Sequence, residues 1–160
     1  MNKMIAMIPL RLGSKRVPKK NLRILKGKPL CSYIIESVIE SGFFNKEDIY
    51  INSEAEEFKP LADYYEISFY KRPELLASDS ATNDDFVLDF LESHNCKQIF
   101  QFLATSPLLL PSTIKDFCEK AVDYKVFVST VTHQIECLYN NEAINFDFTK
   151  QTPPSQLLRP

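Results

Sequence analysis

The chain opens on an apolar run, Met4 to Pro9, that gives way to a polar, cationic stretch beginning at Arg11. A short apolar run bounded by turn signals reads as a buried strand, and Met4–Leu10 is the first one. Leu30, Tyr33, Ile34, Ser37, Val38 and Ser41 then recur near helical spacing. They predict a helix over Pro29–Ser41, with Pro29 in its first turn and Gly42 at its C-terminal cap. Asp48–Asn52 reads as a second strand. Ser53 can cap an acidic helix from Glu54 to about Tyr65, in which Pro60 marks a break or kink. Ile67–Tyr70 reads as a third strand. Thr82 or Asn83 caps a helix through Phe86, Phe90 and Leu91, Gln98–Leu103 is a fourth strand, Ser112 caps Thr113–Tyr124, and Val126–Val131 is a fifth strand. Alternation of strand and helix predicts an α/β three-layer sandwich with a largely parallel sheet. The pattern then loosens: Leu138–Phe148 reads as an irregular hairpin around Asn140-Asn141, and Gln151–Pro160 as a Pro-rich tail.

Composition narrows the picture. A length of 160 residues predicts a single domain with a real core. Apolar content of 44% and charged content of 25% are those of a soluble globular protein. A net charge of -2 argues against a general nucleic-acid or membrane surface. The positive charge gathers between Arg11 and Lys28, while Asp and Glu dominate from Glu47 to Glu92, which fits a local anion site. Cys31, Cys96, Cys118 and Cys137 form no CxxC pair, and no His sits at metal-ligand spacing. Structural thiols in a reducing compartment are expected. The N-terminal apolar run is too short for a signal sequence or a membrane span, so the expected location is cytoplasmic. His94 and His133 read as structural or exposed, and the Phe residues as mostly core.

Ligands of an open parallel sheet bind beyond the carboxyl ends of its strands. Three polar segments follow predicted strand ends. In the first, Arg11–Asn21, Gly13 lets the backbone approach a ligand, Ser14 can donate a hydrogen bond, and Arg11, Lys15 and Lys20 can neutralise phosphates. The glycine fingerprints of dinucleotide sites and P-loops are absent, so this is a different kind of phosphate loop. Lys19, Arg23, Lys26 and Lys28 read as plain surface charges. The second, Lys71–Asn83, is rich in hydroxyls and leads into a helix. It either supplies fixed donors and acceptors to a nucleobase or merely caps the helix through Ser80, Thr82 or Asn83. Asp79 reads as a helix N-terminal charge rather than a metal ligand. In the third, Ala104–Leu108, Thr105 and Ser106 either touch a second substrate or form a plain turn.

Together the three segments resemble the cytidylyltransferases that activate acidic sugars: the acylneuraminate (CMP-sialic acid) synthetases and their relatives for other nonulosonic acids and Kdo. Arg11, Ser14, Lys15, Pro18, Lys20 and Asn21 resemble the family's Arg-x-x-Ser-Lys-x-x-Pro-x-Lys-Asn signature. Arg72, Pro73, Leu76, Ala77 and Asp79 resemble its Arg-Pro-x-x-Leu-Ala-x-Asp motif, and Ala104–Leu108 its Pro-Thr-Ser-Pro-Leu turn. The resemblance implies a Rossmann-like fold of the nucleotide-diphospho-sugar transferase type. It implies a nucleotide site of Leu10, Arg11, Gly13, Ser14, Lys15, Lys20, Asn21, Arg72, Ala81 and Asn83. Arg11 and Lys20 would be catalytic; Asn21, Arg72, Ala81 and Asn83 would surround the cytidine. Thr105, Ser106 and Arg159 would lie near the sugar. The implied reaction transfers CMP from CTP to an acidic keto-sugar with release of pyrophosphate, assisted by Mg²⁺.

The same resemblance places the family's metal-binding aspartates and dimerisation element in a later segment. Residues 138–160 would then begin that segment, the single domain would be incomplete at its C-terminus, and no metal ligand would fall within this chain. The full-length form would be a homodimer, with CTP and an acidic sugar as partners and neither nucleic acid nor membrane. Leu103, Arg16 and Leu109 depart from the family pattern, which commonly has Gln, Gly and Arg there. Two alternatives stand beside this reading: a non-catalytic nucleotide-binding module of the same fold, and a nucleotidyltransferase for another nucleotide and sugar.

Overall fold

In the computed structural model, residues 3–14 and 16–129 are described, together with the backbone of 138–139 and 142–143. The chain divides into two compact units, Met1–Lys125 and Val126–Pro160. The first is built on a four-stranded parallel sheet of β1 (Met4–Pro9), β4 (Ile49–Ser53), β5 (Ser68–Lys71) and β6 (Gln98–Gln101), ordered β5-β4-β1-β6. Between β1 and β4 lie a small hairpin, β2 (Ile24–Leu25) with β3 (Lys28–Pro29), and the helix α1 (Leu30–Glu40). Helix α2 (Lys59–Tyr65) joins β4 to β5, α3 (Asn83–Ser93) joins β5 to β6, and α4 (Pro111–Ala121) follows β6.

β1 is central and nearly fully buried, which is why it reads as an unbroken apolar run. Its side chains alternate between two cores. Ala6, Ile8 and Leu10 pack with Ile34, Ile35 and Val38 of α1, Ala62 of α2, and Ile114 and Cys118 of α4. Ile5 and Met7 pack on the other face against Phe90 of α3. Helices thus cover both faces, and the three-layer α/β/α sandwich stands. Phe43, Phe44, Phe100 and Phe102 interlock edge to face, so much of the Phe content is core. The two strands beside β1 pair with it in register, Ile8 opposite Ile51 and Met7 opposite Gln101. Strand order reverses between β1 and β6, the place where open α/β sheets leave a ligand crevice.

Several boundaries differ from the sequence expectations for local reasons. The acidic helix begins later than Glu54: Ser53 closes β4, its Oγ accepts the Ala55 N–H at 3.2 Å, and a 3-10 turn over Glu56–Phe58 precedes α2. Pro60 therefore falls in the first turn, where a missing N–H costs nothing, and no kink is needed. Pro111 likewise starts α4, leaving Ser112 inside the helix rather than capping it. Thr82, in contrast, caps α3 through a full capping box with Asp85. Pro29 stands at the N-cap of α1, one residue before its first turn, and Gly42 takes the left-handed φ of +65° that ends it. The β2–β3 hairpin was not anticipated. Its tip, Lys26 (φ +47°) and Gly27 (φ +91°), has the paired positive φ of a type I′ turn.

In the second unit, residues 126–129 form no strand, contrary to the fifth strand expected over Val126–Val131; residues 130 and 131 lie outside the described ones. β-branched runs need a pairing neighbour as well as propensity, and none is found for 126–129 among the described residues. Strands β7 (Leu138–Tyr139) and β8 (Glu142–Ala143) pair antiparallel, as the expected hairpin requires. The tail from Gln151 lies outside the described residues. Among the described residues no helix is long and apolar enough to cross a membrane.

Candidate active site

The first two polar segments meet beyond the carboxyl ends of β1, β4 and β5. A cleft of about 280 Å³ is lined by Arg11, Gly13 and Ser14 from one side and Ala77, Ser78 and Asp79 from the other. The Arg11 guanidinium lies 3.6 Å from an Asp79 carboxylate oxygen, so the two segments join by an exposed ion pair across the cleft. Gly13 lines the cleft, and a Cβ added there would meet nothing within 4 Å, so the surrounding protein leaves room at this position.

The backbone of this loop is held from behind. Leu10 is buried, and its N–H donates to the Asn52 carbonyl at 2.9 Å. Its own carbonyl accepts from Arg72 Nη2 at 2.9 Å. The Arg11 carbonyl accepts from Asn21 Nδ2 at 3.1 Å, and the Leu12 N–H donates to Glu54 Oε1 at 2.8 Å. Asn21 is itself buried in a 3-10 turn, Lys20–Leu22, entered through Lys19 in the left-handed region. Lys20 is half-buried in that turn and is not among the residues lining the cleft.

Arg72 is the buried cation of the site, its side chain only 3% exposed. Nη1 donates to both the backbone and side-chain oxygens of Asn52, at 3.2 and 3.0 Å, and Nη2 also reaches Glu54 Oε2 at 3.2 Å. The guanidinium lies 5.1 Å from the Phe86 ring centroid, a cation–π distance. Burial pushes its pKa below the ordinary arginine value, against the pull of Glu54. Its Nε is buried without a hydrogen-bond partner.

The remaining site residues from the sequence lie around this core. Asn83, exposed at the start of α3, accepts from Gln101 Nε2 at 2.7 Å, which ties the second segment to the end of β6. Ala81 is half-buried just before that helix. Thr105 and Ser106 are exposed in the turn after β6, where the Ser106 N–H donates to the Leu103 carbonyl at 3.0 Å. This third segment sits beside the crevice without lining the cleft. Lys15 and Arg159 lie outside the described residues. Sequence reasoning missed Asn52 and Glu54. They follow the same rule that flags the others, polar residues at a parallel strand's carboxyl end, but Ser53 also reads as a helix cap, which hides Glu54 in an expected helix.

Chemically, a cleft walled by a cation, two serine hydroxyls and open loop backbone suits a phosphate-bearing ligand, which would compete with Asp79 for the Arg11 guanidinium. A family profile described as Cytidylyltransferase matches residues 5–151. The N-acylneuraminate cytidylyltransferase of Streptococcus agalactiae serotype V is 39% identical over 118 residues, covering 73% of this chain and 29% of that protein. The pseudaminic acid cytidylyltransferase of Campylobacter jejuni serotype O:2 is 35% identical over 128 residues, covering 75% of this chain and 53% of that protein. This chain therefore spans between about a third and a half of the length of these relatives. A CMP:2-keto-3-deoxy-manno-octonic acid synthetase complexed with CTP shares the fold, with a TM-score of 0.64 at 16% identity over 76% of this chain and 48% of that one. With the profile running from Ile5 in the central strand to Gln151, the chain belongs to the cytidylyltransferase family.

Proposed function

We propose that this chain carries the nucleotide site of an enzyme that transfers CMP from CTP to an acidic keto-sugar, releasing pyrophosphate. The observation that carries the reading is the convergence of the Arg11–Ser14 loop and Ala77–Asp79 on one cleft at the carboxyl ends of the strands, in a chain of this family. Relatives named for N-acylneuraminate and pseudaminic acid point to an acidic sugar of that class.

In the reaction the anomeric hydroxyl of the sugar attacks the α-phosphorus of CTP. A new P–O bond forms, the hydroxyl proton is released to solvent, the bond from the α-phosphorus to the α–β bridging oxygen breaks, and pyrophosphate leaves with that electron pair. The protein's share is placement and charge neutralisation. Arg11 and Lys20, with Ser14 and Lys15, would hold the triphosphate over the open space at Gly13. Ala81 and Asn83 would frame the nucleoside end, with the buried Leu10, Asn21 and Arg72 holding the loop beneath it. Thr105, Ser106 and Arg159 would face the sugar from the β6 side.

The described residues do not build a metal cage of their own, because among them no three His, Cys, Asp or Glu side chains come together. Mg²⁺ is commonly held by one or two carboxylates plus substrate phosphates. It is proposed here as a companion of CTP, with no ligand assigned to this chain. The setting proposed is the cytoplasm and the full-length form a homodimer.

The test is pyrophosphate release from CTP with a panel of nonulosonic acids and Kdo, alongside equilibrium binding of CTP, UTP, GTP and ATP. CTP-selective binding with turnover of one acidic sugar is the expected result. CTP binding without turnover of any sugar would point to the binding-module alternative. Preference for another nucleotide would overturn the cytidylyl assignment.

A further inference from the structure

The two peptide groups that flank Arg11 are gripped by three different polar side chains. The Leu10 carbonyl is held by Arg72, the Arg11 carbonyl by Asn21, and the Leu12 N–H by Glu54. Such contacts fix the φ and ψ of Arg11 and therefore the direction in which its exposed side chain leaves the loop. Glu54 has a particular place among them. Its two carboxylate oxygens split their work: Oε1 takes the Leu12 N–H at 2.8 Å, and Oε2 takes Arg72 Nη2 at 3.2 Å. Arg72 Nη2 in turn reaches the Leu10 carbonyl. One carboxylate therefore closes a ring that runs from Leu12 through Glu54 and Arg72 back to Leu10, with Arg11 at its apex. At 13% exposure Glu54 is too enclosed to meet a substrate on its own account, and it does not line the cleft.

We infer that Glu54 is a positioning residue for Arg11, setting the aim of that guanidinium on the triphosphate without touching the nucleotide. The inference rests on the proposed nucleotide site. Preorganised cations act strongly because they need no rearrangement when the ligand arrives, so a loosened loop weakens binding even with every cation present. Gln at 54 can keep one of the two contacts but sets an N–H₂ against a guanidinium or a backbone N–H at the other. Asp keeps the charge but is one methylene too short to reach both partners.

The experiment is a double-mutant cycle on CTP affinity, measured by titration calorimetry with the whole chain: parent, Glu54→Gln, Arg11→Ala, and both together. If Glu54 acts through Arg11, Glu54→Gln weakens CTP binding about tenfold in the parent, in the range of directly coupled pairs, and hardly at all once Arg11 is gone. Equal losses in both backgrounds, or none in the parent, would overturn the inference and leave the nucleotide site standing. Should Glu54→Gln fail to fold, the same cycle with Glu54→Asp decides, with the same expected pattern. Amide exchange at Leu12 gives a reading without nucleotide, and in Glu54→Asp it should quicken. A parent that binds no CTP while Leu12 exchange responds would sink the nucleotide site and the aiming role with it, leaving a purely structural clamp.

Discussion

Replacing Arg72 by Ala tests how much of the first unit's stability the buried guanidinium carries. The side chain donates to the Leu10 carbonyl, to both oxygens of Asn52 and to Glu54, all within 2.9–3.2 Å. Ala takes the guanidinium donor from the Leu10 carbonyl and the Asn52 side-chain oxygen, while the Asn52 carbonyl keeps the Leu10 N–H, and it strands Glu54, 13% exposed, without its cation. Burial has already depressed the Arg72 pKa, so part of the loss is offset by relief of desolvation. Removing one partner of a buried pair nonetheless costs about 3–5 kcal/mol, because the other charge remains in a low dielectric. Domains of this size are stable by about 5–15 kcal/mol, so the protein should still fold, with little margin. At a urea slope of about 2 kcal/mol per M, the unfolding midpoint should fall by roughly 2 M. Arg72→Lys should lie between parent and Ala, since one ammonium cannot span Leu10 and Asn52 as the planar fork does. Urea titrations followed by far-UV circular dichroism read all three. A midpoint for Arg72→Ala within about 0.5 M of the parent would refute the reasoning, since that slope then leaves only about 1 kcal/mol to the whole network.

Asp79 pairs with Arg11 across the cleft, so it competes with any anion for that guanidinium. Asp79→Asn should tighten CTP binding by about two- to fivefold, the worth of an exposed pair; weaker binding would mean that Asp79 serves the ligand instead. Burial pushes the Cys31 and Cys118 thiols each up to about 12, while Cys96 is only half-buried. Iodoacetamide at pH 8 followed by peptide mapping should therefore label Cys96 first of these three, and Cys31 or Cys118 only after unfolding. In the α3 capping box, the Thr82 N–H and hydroxyl hold the Asp85 carboxyl below its ordinary 3.8. A depressed folded-state pKa stabilises above the unfolded value and is lost as pH falls through the folded one. Asp85→Asn should thus lower Tm at pH 7, and the gap should close at acid pH; a gap that persisted there would argue against the carboxylate.

The layered fold was legible because each main strand and helix carries its own period. β1 is an unbroken apolar run because both its faces are covered, and α1 shows helical spacing because it lies on one face. Where periodicity had no room, reading failed. The strands of the β2–β3 hairpin are two residues each, too short for any alternation to show. At α4, a proline with a preset φ displaced the serine that composition favours as a cap. For residues 126–129, propensity suggested a strand that pairing did not complete.

The cleft was legible for a different reason. A parallel sheet gathers the loops at its carboxyl ends, so Arg11–Ser14 and Ala77–Asp79 were bound to converge wherever the strands were assigned correctly. What sequence could not reveal is which cations face inward. Arg11 and Arg72 carry the same group next to strand ends, yet one is exposed and the other buried. The difference lies in partners: Asn52 and Glu54, 20 and 18 residues earlier in the chain, stand where they can satisfy a guanidinium inside the protein. A cation with such partners is taken inward and spends its hydrogen bonds on the loop backbone. One without them stays at the surface, available to a ligand. That division separates the groups that aim from the group that is aimed.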